Sequence, residues 1–250
     1  MKRLIVLIAF VSCFFACKKE KVNEETPTSQ ISNVADPARR YGELNTTKTE
    51  FFAFISTNPI ACLDTTISVA ALFSFQPFEN GRIVSGTDVS AGTVTANGTT
   101  LKFKNTSIPK HYSDTTNTIN SPVQNWTVSG SNTVPQMNYT VNDSFPVYQG
   151  YLDIPDTVYL SQGFTLPING LQGCNEIKFF VSTLSKTLTK NLNMPVTEIV
   201  VTPAELNGFT GSSLFMQIWF TKANYENVAG KTYQFRTALE LRVNGIALLP

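Results

Sequence analysis

The chain has 250 residues, 42% of them hydrophobic and only 15% charged, with a formal net charge of +1. The charged fraction is well below the usual quarter and forms no basic stripe, so no nucleic-acid partner is expected. The length allows one large core or two modest ones, and plentiful Thr, Ser, Asn, Val and Phe with few helix formers point to β-structure.

In chain order, Lys2 and Arg3 precede an apolar run from Leu4 to Ala16. As a helix this run would reach about 20 Å, against ~30 Å of bilayer hydrocarbon. It therefore fits the apolar part of a secretory signal better than a membrane span. Cys17 closes it, and Lys18, Lys19, Glu20 and Lys21 follow. The segment Phe14-Phe15-Ala16-Cys17 resembles a bacterial lipobox, in which a small residue precedes the cysteine that starts the mature chain. It departs from that pattern at Phe14, where an aliphatic residue is usual. Cys13, after Ser12, is a competing site with a shorter apolar run. The resemblance implies a signal peptide over 1–16 and a thioether-linked diacylglycerol on Cys17, with a further acyl chain on its new amine. Membrane lipid is then a partner through Cys17, since each buried methylene contributes ~0.8 kcal/mol and two chains make a stable anchor. The charged residues after Cys17 are similar to those of Bacteroidota lipoproteins. They imply a cell-envelope protein anchored in the outer membrane, periplasmic or surface-exposed. Without Lys2 and Arg3 the chain has 17 basic against 18 acidic residues.

Residues 17–40 lack apolar periodicity and read as the lipidated cysteine and a flexible tether. Asp36 can cap a brief turn with Pro37 at its first helical position. The body then reads as strands. They are expected at 51–56, 67–75 and 100–104, around Trp126 and Val128, and around Met137, Tyr139 and Val141, with a long polar loop over 105–124. Asn80-Gly81 and Asn97-Gly98 are hairpin turn signals. Further strands are expected at 156–161, 164–168, 177–183, 197–202, 214–222 and 232–244. Thr202 and Glu205 have capping-box spacing, and Gly208 should end that helix after about a turn. Over 232–244, Tyr233, Phe235, Thr237, Leu239, Leu241 and Val243 alternate with Gln234, Arg236, Glu240, Arg242 and Asn244. That is the pattern of a sheet with one wet face, and its length suggests a bulge near Ala238. The expected fold is all-β: one or, preferably, two tandem immunoglobulin-like sandwiches, over 41–146 and 147–250.

Motifs for chemistry are scarce. His111, the chain's one histidine, falls in the polar loop and reads as solvated. No G-x-S-x-G elbow, C-x-x-C pair, P-loop or G-x-G-x-x-G is present, so no catalytic residue, metal or cofactor is assigned. Asp114 with Asn117, and Asp153 with Asp156, read as solvated turn residues rather than calcium ligands. Cys62 and Cys174 could form a disulfide in an oxidising compartment; two separate buried thiols is the preferred reading. Asp-Thr-Thr or Asp-Thr-Val occurs at 64–66, 114–116 and 156–158. These resemble the short O-glycosylation sequon of Bacteroidota, which implies glycan on Thr65, Thr115 and Thr157; ordinary Asp/Thr turn chemistry is the simpler explanation.

Trp219 lies on the strand face opposite Leu214, Met216, Ile218 and Phe220, together with Gln217 and Thr221. If that face is wet, Trp219 can stack on a sugar ring while Gln217 orients hydroxyls; if not, Trp219 fills a second layer or a domain interface. The expectation is a non-catalytic envelope lipoprotein that binds glycan or another surface component, similar in organisation to glycan-capturing outer-membrane lipoproteins. The alternative is an assembly subunit, similar to fimbrillins, that pairs through edge strands with an envelope protein partner.

Overall fold

The computed structural model describes residues 34–54 and 61–250. The signal segment, Cys17, the tether as far as residue 33 and the end of the strand expected at 51–56 lie outside the described residues.

Two long strands open the fold, β1 (Arg40–Ala53) and β2 (Ala61–Phe73). Six short ones follow: β3 (Val94–Ala96), β4 (Thr99–Thr100), β5 (Lys102–Lys104), β6 (His111–Ser113), β7 (Asn125–Val128) and β8 (Met137–Thr140). A 3-10 turn at Gly150–Asp153 leads to β9 (Thr157–Tyr159), β10 (Phe164–Pro167), β11 (Glu176–Ser182), β12 (Thr187–Asn193) and β13 (Glu198–Val201). A short helix α1 (Pro203–Leu206) precedes β14 (Ser213–Val228) and β15 (Lys231–Leu249). The expected all-β fold is what forms.

The large sheet runs β12-β11-β14-β15-β1-β2-β6-β5. Most pairs are antiparallel, but β15 lies parallel to β1 and, at its far end, to β9. The sheet thus draws strands from both sides of position 146. Two small sheets, β4-β3-β7-β8 and β10-β13, complete the architecture.

The period-two pattern of β15 decides what packs where. Tyr233 and Phe235 join Leu44, Val69, Phe73, Trp126 and Val128 in one core. Leu239, Leu241 and Val243 join Phe179, Ile218, Phe220, Leu166 and Ile199 in a second. Both cores lie on the same face of the large sheet, since residues 233–243 of odd number share it. Thr237, buried between them, interrupts the apolar row. Each small sheet supplies the opposing layer of one core. Neither core keeps to one side of position 146: Tyr233 and Phe235 enter the first and Phe52 the second, and the large sheet continues across it. Trp126, expected in a core, is buried in the first.

Close approach explains one glycine. A Cβ on Gly42 would stand 2.9 Å from Tyr233 Cδ1 and 3.0 Å from Leu72 O. Its absence lets Tyr233 and Phe73 pack together with ring centroids 6.4 Å apart.

Several local expectations are corrected. The bulge lies not at Ala238, which is buried and regularly paired, but where β14 shifts register between Leu214 and Met216, opposite Gly245. There β15 leaves β1 at Asn244 and takes up β9 at Ala247. Gly245, at φ 81°, supplies the left-handed residue this handover needs. β1 begins at Arg40 rather than near 51. The expected loop over 105–124 contains β6, whose Tyr112 is buried and donates to Gly92 O at 2.7 Å. His111 is therefore a half-buried strand residue, its Nδ1 3.1 Å from Pro109 O. β12 was not expected at all. By contrast, the capping box at Thr202 and Glu205 forms, and Asn97-Gly98 turns β3 into β4.

Asp114 shows what the turn acids do. Its Oδ1 accepts from Thr116 N and Oγ1 at 2.9 and 2.7 Å, and its Oδ2 from Thr118 N and Ile119 N at 3.0 and 3.1 Å. Burial alone would raise its pKa, but these donors outweigh it and hold the carboxyl below its ordinary value of 3.8. A depressed folded pKa gives stability that is present above the unfolded value and lost as pH falls through the folded one. Asp114→Ala should cost about 1–2 kcal/mol near neutrality. The gap in melting temperature to wild type should narrow as pH falls from 5 to 2; a gap independent of pH would contradict the turn's reliance on the carboxylate.

Candidate binding face around Trp219

From Gln234 to Asn244 the even-numbered side chains of β15 point away from both cores, and the register aligns the rest of that face in rows. Across β12, β11, β14, β15 and β1, one row reads Asn191, Lys178, Trp219, Glu240, Thr49. The next row toward the chain ends of β11 and β12 reads Asn193, Glu176, Thr221, Ala238, Thr47. On the other side stand Thr189, Phe180, Gln217, Arg242 and Phe51. Lys178, Asn191 and Asn193 are exposed and Trp219 and Gln217 are half-buried, so the face is open to solvent here.

Trp219 belongs to neither core. It forms one wall of a groove of ≈ 370 Å³, lined also by Glu176, Lys178, Asn191, Asn193, Thr221 and Arg236. The Lys178 ammonium lies 5.6 Å from the centre of the Trp219 ring, a cation–π contact. The result is one aromatic platform ringed by amide, hydroxyl and charged groups.

Beneath this surface a polar network fixes the neighbours. Glu240 is buried, and its carboxylate accepts from Thr49 Oγ1 at 2.7 Å, from Arg242 Nε at 2.8 Å and from Gln217 Nε2. Gln217, expected to meet ligand hydroxyls, thus spends an amide donor on Glu240. It is not among the groove's lining residues and acts as a support for the row beside Trp219. Farther along, Tyr225 donates to Glu176 Oε1 at 2.7 Å and accepts from Gln234 Nε2 at 2.8 Å. Burial first, and the Glu176 carboxylate second, push its hydroxyl up to about 12, so it remains a donor across the physiological range.

The other sequence candidates lie elsewhere. Cys62 and Cys174 are free thiols, not a disulfide. Cys62 is exposed on β2, contrary to the expectation of two buried thiols, while Cys174 is half-buried and donates to Glu176 O at 3.1 Å. Thr65 is exposed on β2 and Thr115 is exposed beside the Asp114 turn; Thr157 is half-buried on β9. None of the three lies at the groove. Lys178, Glu176, Thr221 and Arg236 alternate outward on strands the sequence already suggests, but Asn191 and Asn193 sit on β12, whose weak pattern hid them. Among the described residues no helix is long and apolar enough to cross a membrane.

No protein-family model, curated protein or solved structure matches the chain.

Proposed function

We propose that the protein is a lipid-anchored, non-catalytic envelope protein that binds glycan on the open face of its large sheet. The observation that carries this reading is Trp219, held outside both cores on a polar face and walling a groove with Asn191, Asn193, Thr221, Lys178, Glu176 and Arg236. Sugar rings offer an apolar face and a hydroxyl rim. An aromatic platform with amide and hydroxyl neighbours meets both. The lipobox-like segment ending in Cys17 supplies the anchor, and would keep this face beside the membrane where envelope or foreign glycans lie.

A glycan array tests the recognition step. Wild type should retain a set of glycans and Trp219→Ala should lose them, while keeping the wild-type melting temperature because the ring packs in neither core. A blank array for wild type would remove the reading. Metabolic labelling with a fatty-acid analogue tests the anchor: label should be incorporated into wild type and not into Cys17→Ser.

One observation favours a second reading. β12 ends the large sheet, pairing with β11 alone among the described residues. An open strand edge is a template for another chain, as an assembly subunit similar to fimbrillins requires. A purified protein that stays monomeric at high concentration would count against it.

A further inference from the structure

Arg236 stands on β15 opposite Ala223 of β14 and two residues from Ala238. Both neighbours are small, so no bulky side chain separates its guanidinium from the groove it lines. Among the described residues its buried Nε has no hydrogen-bond partner, and beside it on β1 the buried Asn45 Oδ1 also lacks one. Among the described residues, Arg236 is in no ion pair, whereas Arg40 pairs with Glu43 and Arg242 with Glu240 on the same face. Lys178, the other cation of the groove, meets the Trp219 ring and, among the described residues, no carboxylate. Against these two cations stands Glu176, already accepting from the Tyr225 hydroxyl.

Arg236 is half-buried, and its one N–H drawn out of water without an acceptor, at Nε, carries a desolvation cost that a bound anion recovers. Its planar fork matches a carboxylate, which it holds with two parallel hydrogen bonds. Resting on the glycan reading of this face, we infer that the groove takes an acidic sugar. A uronate ring lies against Trp219, Arg236 and Lys178 hold its carboxylate, and Asn191, Asn193 and Thr221 meet its hydroxyls. The groove's ≈ 370 Å³ falls at the small end of ligand sites, which run from about 300 to 1,000 Å³. That suits one or two sugar units rather than a long chain.

Calorimetric titration with oligosaccharides of galacturonate, glucuronate and mannuronate, each beside its methyl ester, tests this. Esterification removes the charge and keeps the ring. At least one acid should bind about tenfold or more tightly than its ester, and salt should weaken it. Arg236→Gln should bring the acid down to the affinity of the ester. Arg236→Lys should keep part of the preference, and Trp219→Ala should weaken acid and ester alike. Among the described residues the Arg236 side chain makes no hydrogen bond, so both its variants should melt with wild type, and Arg236→Lys controls for the loss of the side chain's bulk. Esters that bind as tightly as acids, or a preference that survives Arg236→Gln, would overturn the acidic-sugar assignment and leave the glycan reading standing. Binding of neutral glycans alone would do the same. If no glycan binds, acidic or neutral, both fall.

Discussion

Phe235→Ala is expected to destabilise the protein by about 3–5 kcal/mol and to lower the whole unfolding transition rather than part of it. The side chain is fully buried and stacks on Tyr139 with ring centroids 3.7 Å apart. Its strand is held on both sides, by Leu44 of β1 and Asn224 of β14. β15 cannot move in to fill the cavity without breaking one of those ladders, which places the cost toward the upper end. The same three strands also floor the second core, through Phe52 of β1, Phe220 of β14 and Leu241 of β15. Damage to one core should therefore be felt by the other. Urea unfolding followed by tryptophan fluorescence and by far-ultraviolet circular dichroism should give coincident curves in wild type and variant. A variant with two separated transitions would show that the cores fold independently despite the shared sheet.

Glu240→Ala should cost about 2–4 kcal/mol. The carboxylate is buried, and three donors converge on it: Thr49, Gln217 and Arg242. Alanine leaves all three without an acceptor. Arg242 is 41% exposed and can turn to water, which limits the loss, but the Thr49 hydroxyl is buried and has no such escape. Glu240→Gln keeps an acceptor and should cost less. Because Gln217 is held by this network beside Trp219, Glu240→Ala should also weaken glycan binding several-fold. Thermal melts and array signals for the two variants check both parts. A fully stable Glu240→Ala would mean that the network contributes nothing.

Much of the fold was legible, and the misses share a cause. The strict alternation of β15 was readable because its odd residues from Tyr233 to Val243 are, Thr237 apart, large and apolar. The placement of Trp219 opposite Met216, Ile218 and Phe220 followed from the same period. β1 was half-missed because its core-facing row turns polar after Leu44: Thr46, Lys48 and Glu50 come before Phe52. Those residues face the seam between the two cores, and Thr46 and Glu50 are buried there, so burial and hydrophobicity part company. β12 was missed because an edge strand needs only half an apolar face: Leu188 and Leu192 are separated by Thr, Lys and Asn. Tyr112 was hidden in a polar segment because its strand is three residues long. The bulge at Gly245 reflects a change of partner strand, which no local pattern encodes.

The site was legible in its centre and not in its rim. Alternation put Trp219, Gln217 and Thr221 on one face. Register across strands decided the remainder. It moved Gln217 into a supporting role under Glu240 and brought Lys178, Asn191 and Asn193 alongside the indole. It also set Arg236 between two alanines without an acidic partner. Those relations depend on which strands are neighbours, and β14, β11 and β12 become neighbours only through the sheet order.

The two indole N–H signals give the most direct test of recognition at this face. The chain has two tryptophans, Trp126 in a core and Trp219 at the groove. In a proton–nitrogen correlation spectrum, titration with a glycan that binds should shift or broaden the Trp219 indole signal, assigned by Trp219→Phe, and leave that of Trp126 in place. A glycan that binds while the Trp219 signal stays fixed would contradict the face as the binding site.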